Sequence, residues 1–442
     1  MGIRIIQSRE PLKDAAVVAL RDRLRAGGLA GVGQAGGPDV AKTVRDIIAD
    51  VQARGDQAVI DLTAKIEKVK LAPERLRIPP EQIAAAHAAA DPEFLGLVRR
   101  VITNIREYQE SIRLRAPRPL RRGGRELALR YTPVDRVGVY VPGGGAVLVS
   151  TMLMTVVPAQ VASVREIAVV SPPTTNGQVS PAVLAIAAEL GVAEVYGVSG
   201  TAGIAALAIG TESIPAVQKI VGPGNAFVTE AKRRLFGRVG IDSLAGPSEV
   251  LVIADETADP QWVAADLLAQ AEHDPGSAIL VTPSRELAQS VAAAIEPQLG
   301  GLDRAAAIRK ALAEYSAILV VPDLQAACEV ANDFAAEHLQ IMTADDEAVL
   351  GKIRHAGAIF IGPLTPVPLG DYCAGPSHVL PTGGTARFFS PLSCNDFLTA
   401  SSVIRYDAEA LAEDADDVID FANREGLTAH ARAVRIRKER IQ

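Results

Sequence analysis

The chain has 442 residues, enough for about three ordinary domains, with 48% hydrophobic residues and 45 basic against 52 acidic side chains, a formal net charge of -7. That balance argues against nucleic acid as partner, and the one basic cluster, Arg113, Arg115, Arg118, Arg121, Arg122 and Arg125, lies in a Pro/Gly-rich connection without aromatics for base stacking. It reads as a solvated loop. The most apolar run, Val147 to Val164, carries Ser150, Thr151, Thr155, Pro158 and Gln160, and reads as a buried helix rather than a membrane span.

The first ten residues, MGIRIIQSRE, lack an apolar signal core, and Cys328, Cys373 and Cys394 show no CxxC spacing, so the expected compartment is the cytoplasm. From the start to about Arg113 the text is largely helical. AKTVRDIIADVQARG and FLGLVRRVITNIREYQESIR place apolar residues at three- and four-residue intervals and read as a cap or dimer element. His87, in AAAHAAAD, reads as a surface or packing residue.

From Val134 short β-branched runs alternate with Ala-rich helices: VGVYV, EIAVVS, AEVYGV and QKIV. This is the βαβ rhythm of a parallel sheet, whose ligands collect at the carboxyl ends of strands. At the first such end lies VPGGGA, residues 141–146; position 148 is Leu, so the spacing departs from G-x-G-x-x-G and leaves a dinucleotide site open. A second glycine turn, VGPGNA at 221–226, brings Asn225 to a helix start, where it caps the helix or bonds a ligand. IDSLAGPSEVLVIAD, AILVTP, AILVV and AGAIFIG then indicate a second sheet of the same kind, so two α/β units in tandem enclose a cleft. After Pro391 the text is helical again, with an acidic surface from Asp407 to Asp417 and a basic end, forming a small carboxyl-terminal domain that holds His430.

Residues 266–274, DLLAQAEHD, put Gln270 and His273 on one helix face, where an amide and an imidazole make half of a metal shell. Asp371 in GDYCAGPSHVLP and His430 in EGLTAH are the further candidate ligands. Each has an ordinary structural reading by itself: a packed histidine, or a turn aspartate bonding its own backbone. Glu337 and His338, in NDFAAEHLQI, fall at a helix end or in a turn; a neutral imidazole takes a proton from an alcohol and a carboxylate activates water. Cys373, close to Asp371, offers thiohemiacetal chemistry as another route from aldehyde to acid.

The segments YVPGGGA, GPGNAFVTEAKR, AGPSEVLVIAD, DLLAQAEHD, AAEHLQI, GDYCAGPSHVLPTGGTARF and LTAH, in this order over nearly the whole chain, resemble the histidinol dehydrogenase family. The resemblance implies an α/β fold of two tandem incomplete Rossmann-like units with parallel-rich sheets, plus small helical N- and C-terminal domains. It divides the chain into a helical segment at 1–33, a first α/β domain of 34–139 and 248–392 carrying most of the site, an NAD-binding domain at 140–247, and a carboxyl-terminal domain at 393–442 that serves the partner's site. It implies oxidation of L-histidinol to L-histidine through L-histidinal, with one Zn2+ per subunit and NAD+, in a homodimer of interlocked subunits. Gln270, His273, Asp371 and His430, the last from the partner subunit, would hold the metal. Ser248 and Glu425 match substrate contacts, which with Gln270, His273, His338, Asp371 and His430 complete the substrate site. His338 would be the general base, Glu337 the water activator and His378 a further lining residue. Tyr140 and Asn225 match NAD contacts. One position departs: the family's usual Gln is Ala202 here, so one hydrogen bond to NAD is lost, on the order of 1 kcal/mol. A paralogue oxidising another small polyol, such as a sulfonated propanediol, and a non-catalytic zinc-holding scaffold are the alternatives.

Overall fold

The computed structural model describes residues 2–27, 39–143, 148–174, 176–273 and 276–441. Residues 144–146 of the first glycine turn, residues 28–33 of the amino-terminal segment and Asp274 of DLLAQAEHD therefore lie outside the described residues.

Fourteen strands organise the described chain. The first, β1 (Arg4–Gln7), precedes the amino-terminal helices; β2 (Leu120–Arg122) and β3 (Arg125–Pro133) follow them. Then come β4 (Arg136–Tyr140), β5 (Glu166–Val170), β6 (Glu194–Tyr196), β7 (Lys219–Val221) and β8 (Gly240–Ile241). A second series contains β9 (Ser248–Ala254), β10 (Gly276–Thr282), β11 (Ala317–Val320), β12 (His338–Met342) and β13 (Ala358–Ile361), and β14 (Leu398–Tyr406) comes last.

The β-branched runs are strands because both their faces are covered: every residue of β4, β10, β11 and β12 is buried. One sheet has the order β6-β5-β4-β7-β8, the other β1-β11-β10-β9-β12-β13, and every paired strand in both is parallel. Within each unit the strands thus lie in the order third, second, first, fourth, fifth, the doubly wound arrangement with its crevice between first and fourth strands. The two α/β units expected from the sequence are present. The apolar run beginning at Val147 contains the helix Val149–Val161, whose residues from Thr151 to Ala159 are all buried. Among the described residues no helix is long and apolar enough to cross a membrane.

Three differences from the sequence reading stand out. The amino-terminal text is not helical throughout, because β1 adds in parallel to the edge of the second sheet beside β11. Four residues without alternation give no periodic signal; edge pairing recruits them. The text after Pro391 also contains a strand. β14 pairs along its whole length, antiparallel, with β3, and β2 completes a three-stranded ribbon. Nearly all of β14 is exposed, so it has no hydrophobic face to betray it. Finally, the basic cluster is not all solvated loop: Arg125 pairs with Glu413 at 2.8 Å and with Asp414, pinning the helix Ala408–Arg424 to the ribbon. His87, for its part, bonds Glu189 at 2.6 Å and joins two helices.

The polarity of the two units differs at the cleft. Tyr140 ends β4 and Gly222 follows β7, so the first unit presents the carboxyl edge of its sheet. Ser248 opens β9, His338 opens β12, and Gln270 and His273 precede β10, so the second unit presents its amino edge. The rule that ligands gather at carboxyl ends holds for one half only. A crossing contact holds the edges together: Ser377 Oγ donates to the Met154 carbonyl at 2.9 Å.

Candidate active site

The helix Leu324–Phe334 ends on Ala335, a left-handed residue at φ 50°, and this reversal feeds Glu337 and His338 directly into β12. They occupy a strand start, where β-sheet pairing with β9 fixes their backbone; His338 lies opposite Val250. The Glu337 carboxylate accepts from Ser248 Oγ at 2.7 Å and from the Glu249 peptide N–H at 3.0 Å. His338 Nδ1 donates to the Glu249 carbonyl at 3.2 Å. A carbonyl only accepts, so Nε2 carries the lone pair of the neutral ring. Nε2 is buried, has no hydrogen-bond partner among the described residues, and stands 3.6 Å from Asp371 Oδ1. Phe360 packs at 5.9 Å from the ring.

Electrostatically the site is a knot of imidazoles and carboxylates. Burial opposes charge on His338, but Glu337, Asp371 and the Glu249 carbonyl outweigh it and raise the pKa. Burial raises Glu337, with His338, Ser248, the Glu249 N–H and His273 offsetting part of the shift. Asp371 is lowered: burial alone would raise it, and His338, His378 and His273 prevail. His378 is lowered, chiefly by burial. Its Nδ1 donates to the Asp371 carbonyl at 3.0 Å and its Nε2 accepts from Thr151 Oγ1 at 3.3 Å, which ties the Asp371 loop to the other unit.

Gln270 lies in the last turn of the helix Pro260–Ala271, capped at its start by Asp259. The helix stops before His273, whose N–H reaches the Gln270 carbonyl at 3.3 Å in a turn, so the pair does not share one regular helix face. Gly276 makes the turn possible, since a methyl there would overlap the Gln270 carbonyl and approach the His273 carbonyl to 2.8 Å. Gln270 is 2% exposed, and its amide nitrogen has no partner among the described residues. His273 and Asp371 lie close enough to the Glu337–His338 pair for their charges to act on it and on each other, and with the buried Gln270 amide they offer nitrogen and oxygen atoms of the kinds zinc takes. Among the described residues no three His, Cys, Asp or Glu side chains form a metal-holding group by themselves. His430, in the helix Thr428–Ile441, and Glu425 are exposed, and no described hydrogen bond joins either side chain to the site.

At the other edge, Tyr140 is 4% exposed and its ring fills the space between two glycines. A methyl on Gly200 would come to 2.7 Å from its hydroxyl, and one on Gly224 to 3.2 Å from its ring. Burial, then the Glu67 charge, raises the phenol pKa, so the group stays protonated. Asn225 is the N-cap of the helix Ala226–Leu235, its side-chain oxygen accepting from Phe227 and Val228 N–H at 3.1 and 3.2 Å. Capping leaves the amide N–H₂ for a ligand, so the two sequence readings are compatible. Ala202 has no exposed surface and packs in the core of the first unit.

The model of the histidinol dehydrogenase family matches residues 33–438. The chain belongs to the histidinol dehydrogenase family. Among its relatives, the histidinol dehydrogenase of Rhodopirellula baltica is 48% identical, covering 99% of this chain and 98% of the relative. That of Geobacillus kaustophilus is 49% identical, covering 92% and 96%. The crystal structure of histidinol dehydrogenase from Elizabethkingia anophelis superposes with a TM-score of 0.90 at 31% identity, covering 99% of this chain and 98% of the other. Histidinol dehydrogenases are oxidoreductases of the last steps of histidine biosynthesis. Glu249 and Thr151 escaped the sequence reading. A carboxylate opening the otherwise apolar EVLVIA was the available signal for Glu249; for Thr151, inside an apolar helix, there was none.

Proposed function

We propose that this chain oxidises L-histidinol to L-histidine through L-histidinal in two NAD-dependent steps, with Glu337 and His338 as the catalytic pair. The observation that carries the reading is His338 Nε2, buried, unpartnered and held in the accepting tautomer beside a Glu337 carboxylate fixed by Ser248 and Glu249. His338 takes the hydroxyl proton of the alcohol as hydride leaves the carbinol carbon. Glu337 then takes a proton from water, whose oxygen adds to the aldehyde carbon while His338 returns its proton to the former carbonyl oxygen, which leaves the imidazole neutral again. His338 takes a proton from the resulting hydrate as the second hydride leaves, yielding the carboxylate. NAD+, against Tyr140 and Asn225, supplies the hydride acceptor. Zinc, when bound by Gln270, His273, Asp371 and the His430 position, supplies a template that orients the substrate's nitrogens.

A homodimer with interlocked subunits completes this set, His430 and Glu425 serving the opposite site. Supporting it, the carboxyl-terminal hairpin carries both residues exposed and leaves Phe421 69% and Ile404 69% accessible. The work divides by unit: 248–392 carry zinc and chemistry, the unit of β4 to β8 carries NAD, and 393–442 serve the partner's site; the sequence reading grouped 34–139 with 248–392, but the helices of 40–112 pack on the unit of β4 to β8 and β1 joins the other sheet. The cytoplasm is the fitting compartment, since Cys328, Cys373 and Cys394 are all free thiols. Replacing Glu337 by Gln tests the assignment: histidinal oxidation falls on the order of a hundredfold, while reduction of histidinal to histidinol, which needs no water, persists.

A further inference from the structure

Residue 249 touches the catalytic pair through both of its backbone polar groups. Its N–H donates to the Glu337 carboxylate and its C=O accepts from His338 Nδ1, the contacts that set the charge and the tautomer of the pair. Its side chain, 3% exposed, runs the other way. One carboxyl oxygen accepts from the Gly383 N–H at 2.9 Å. Gly383 and Gly384 are both left-handed, at φ 61° and 75°, which leaves their N–H groups free to converge on one acceptor. Three segments that approach from different parts of the chain, the start of β9, the entry to β12 and the 382–384 loop, therefore meet at this one residue.

Burying a carboxyl is unfavourable unless its neighbours satisfy it. Here they also neutralise it: burial first, and then the Glu337 charge, pushes the Glu249 pKa up to about 8.

Resting on the reading of Glu337 and His338 as the catalytic pair, we propose that Glu249 is a positioning residue of this reaction, its carboxyl tying the start of β9 to the 382–384 loop so that its own N–H and C=O hold both catalytic side chains. It touches neither substrate nor cofactor, so its loss acts on turnover and not on binding. A misplacement of about 1 Å at such a pair lowers the rate on the order of a hundredfold.

The test uses the full-length, zinc-loaded enzyme and steady-state oxidation of L-histidinol and L-histidinal. In folded Glu249→Ala, kcat falls by about tenfold to a hundredfold, KM stays within about threefold and zinc content is unchanged. Glu249→Gln, equal in size, uncharged and still an acceptor, restores kcat to within about threefold of the parent. If the Ala variant does not fold, Glu249→Asp replaces it: one methylene short, its carboxyl falls short of the Gly383 N–H, and kcat drops about tenfold. Parent-like kcat in folded Glu249→Ala or Glu249→Asp overturns the proposal, as does a Gln variant impaired as much as Ala. Glu337→Gln and His338→Ala are measured alongside. Parent-like activity in those two overturns the catalytic assignment itself; loss in them with an unaffected Glu249→Ala overturns only the positioning role.

Discussion

Ser248 and Glu337 stand 89 positions apart in sequence, and the hydroxyl of the first donates to the carboxylate of the second at 2.7 Å. The parallel pairing of β9 with β12 brings them together, so the water-activating group is assembled by the sheet itself. A hydrogen bond to a charged acceptor contributes about 1.5–3 kcal/mol. Ser248→Ala should slow histidinal oxidation by about tenfold to a hundredfold. Stopped-flow measurement of the second hydride transfer checks this; a variant with parental rates would show that the hydroxyl serves something else.

Gly276 sits where the Gln270–His273 turn passes over the start of β10. A methyl group cannot be accommodated without moving the Gln270 carbonyl. In Gly276→Ala the ligands separate, and zinc bound per subunit, read by metal analysis after gel filtration, should drop by more than about half. Full zinc occupancy would contradict this reading of the turn.

Lys232 and Asp242 form a buried pair, each side chain 3% exposed, that encloses the first glycine of the 222–224 loop. Lys232 Nζ donates to the Gly222 carbonyl at 3.0 Å while Asp242 accepts from its N–H at 2.7 Å. Lys232→Met strands a buried carboxylate and should destabilise the protein by about 3–5 kcal/mol. Because the loop leads to Asn225, NAD+ affinity measured by calorimetry should fall as well. Lost stability with unchanged affinity would separate the pair from the cofactor site.

Glu189 joins three helices by bonding Arg99 at 2.6 and 2.9 Å and His87 at 2.6 Å. Arg99 first, then His87, holds its pKa at about 2. A carboxylate depressed in the fold contributes stability above its unfolded value, about 4.3, and loses it as pH falls toward 2. Arg99 is 60% exposed, so screening keeps the contribution modest. Glu189→Gln should lower the melting temperature at pH 7 by roughly 2 °C and flatten the decline of stability below about pH 5. An unchanged acid profile would refute this.

Much of the architecture was legible because β4 to β7, β9 to β11 and β13 are short β-branched runs separated by Ala-rich helices, whereas β12, HLQIM, was read as a helix end or a turn. What stayed hidden lacks a local signal. β1 exists by edge pairing, and β14 is exposed along nearly its whole length. The candidate residues were readable as types in spaced motifs, yet their convergence depends on the amino edge of one sheet facing the carboxyl edge of the other, which no motif encodes. Glu249 is the sharpest case: beside Ser248 it looked like one charged residue at a strand start, and only the left-handed Gly383–Gly384 pair shows where its carboxyl goes.

The most direct measurement of the central claim is the yield of NADH per L-histidinol consumed by the purified, zinc-loaded protein. The assignment of both oxidation steps to Glu337 and His338 requires two NADH per histidinol, abolished by a chelator and by His338→Ala. No NADH from histidinol, with turnover of a dihydroxypropanesulfonate instead, would contradict it and move the chemistry to another substrate.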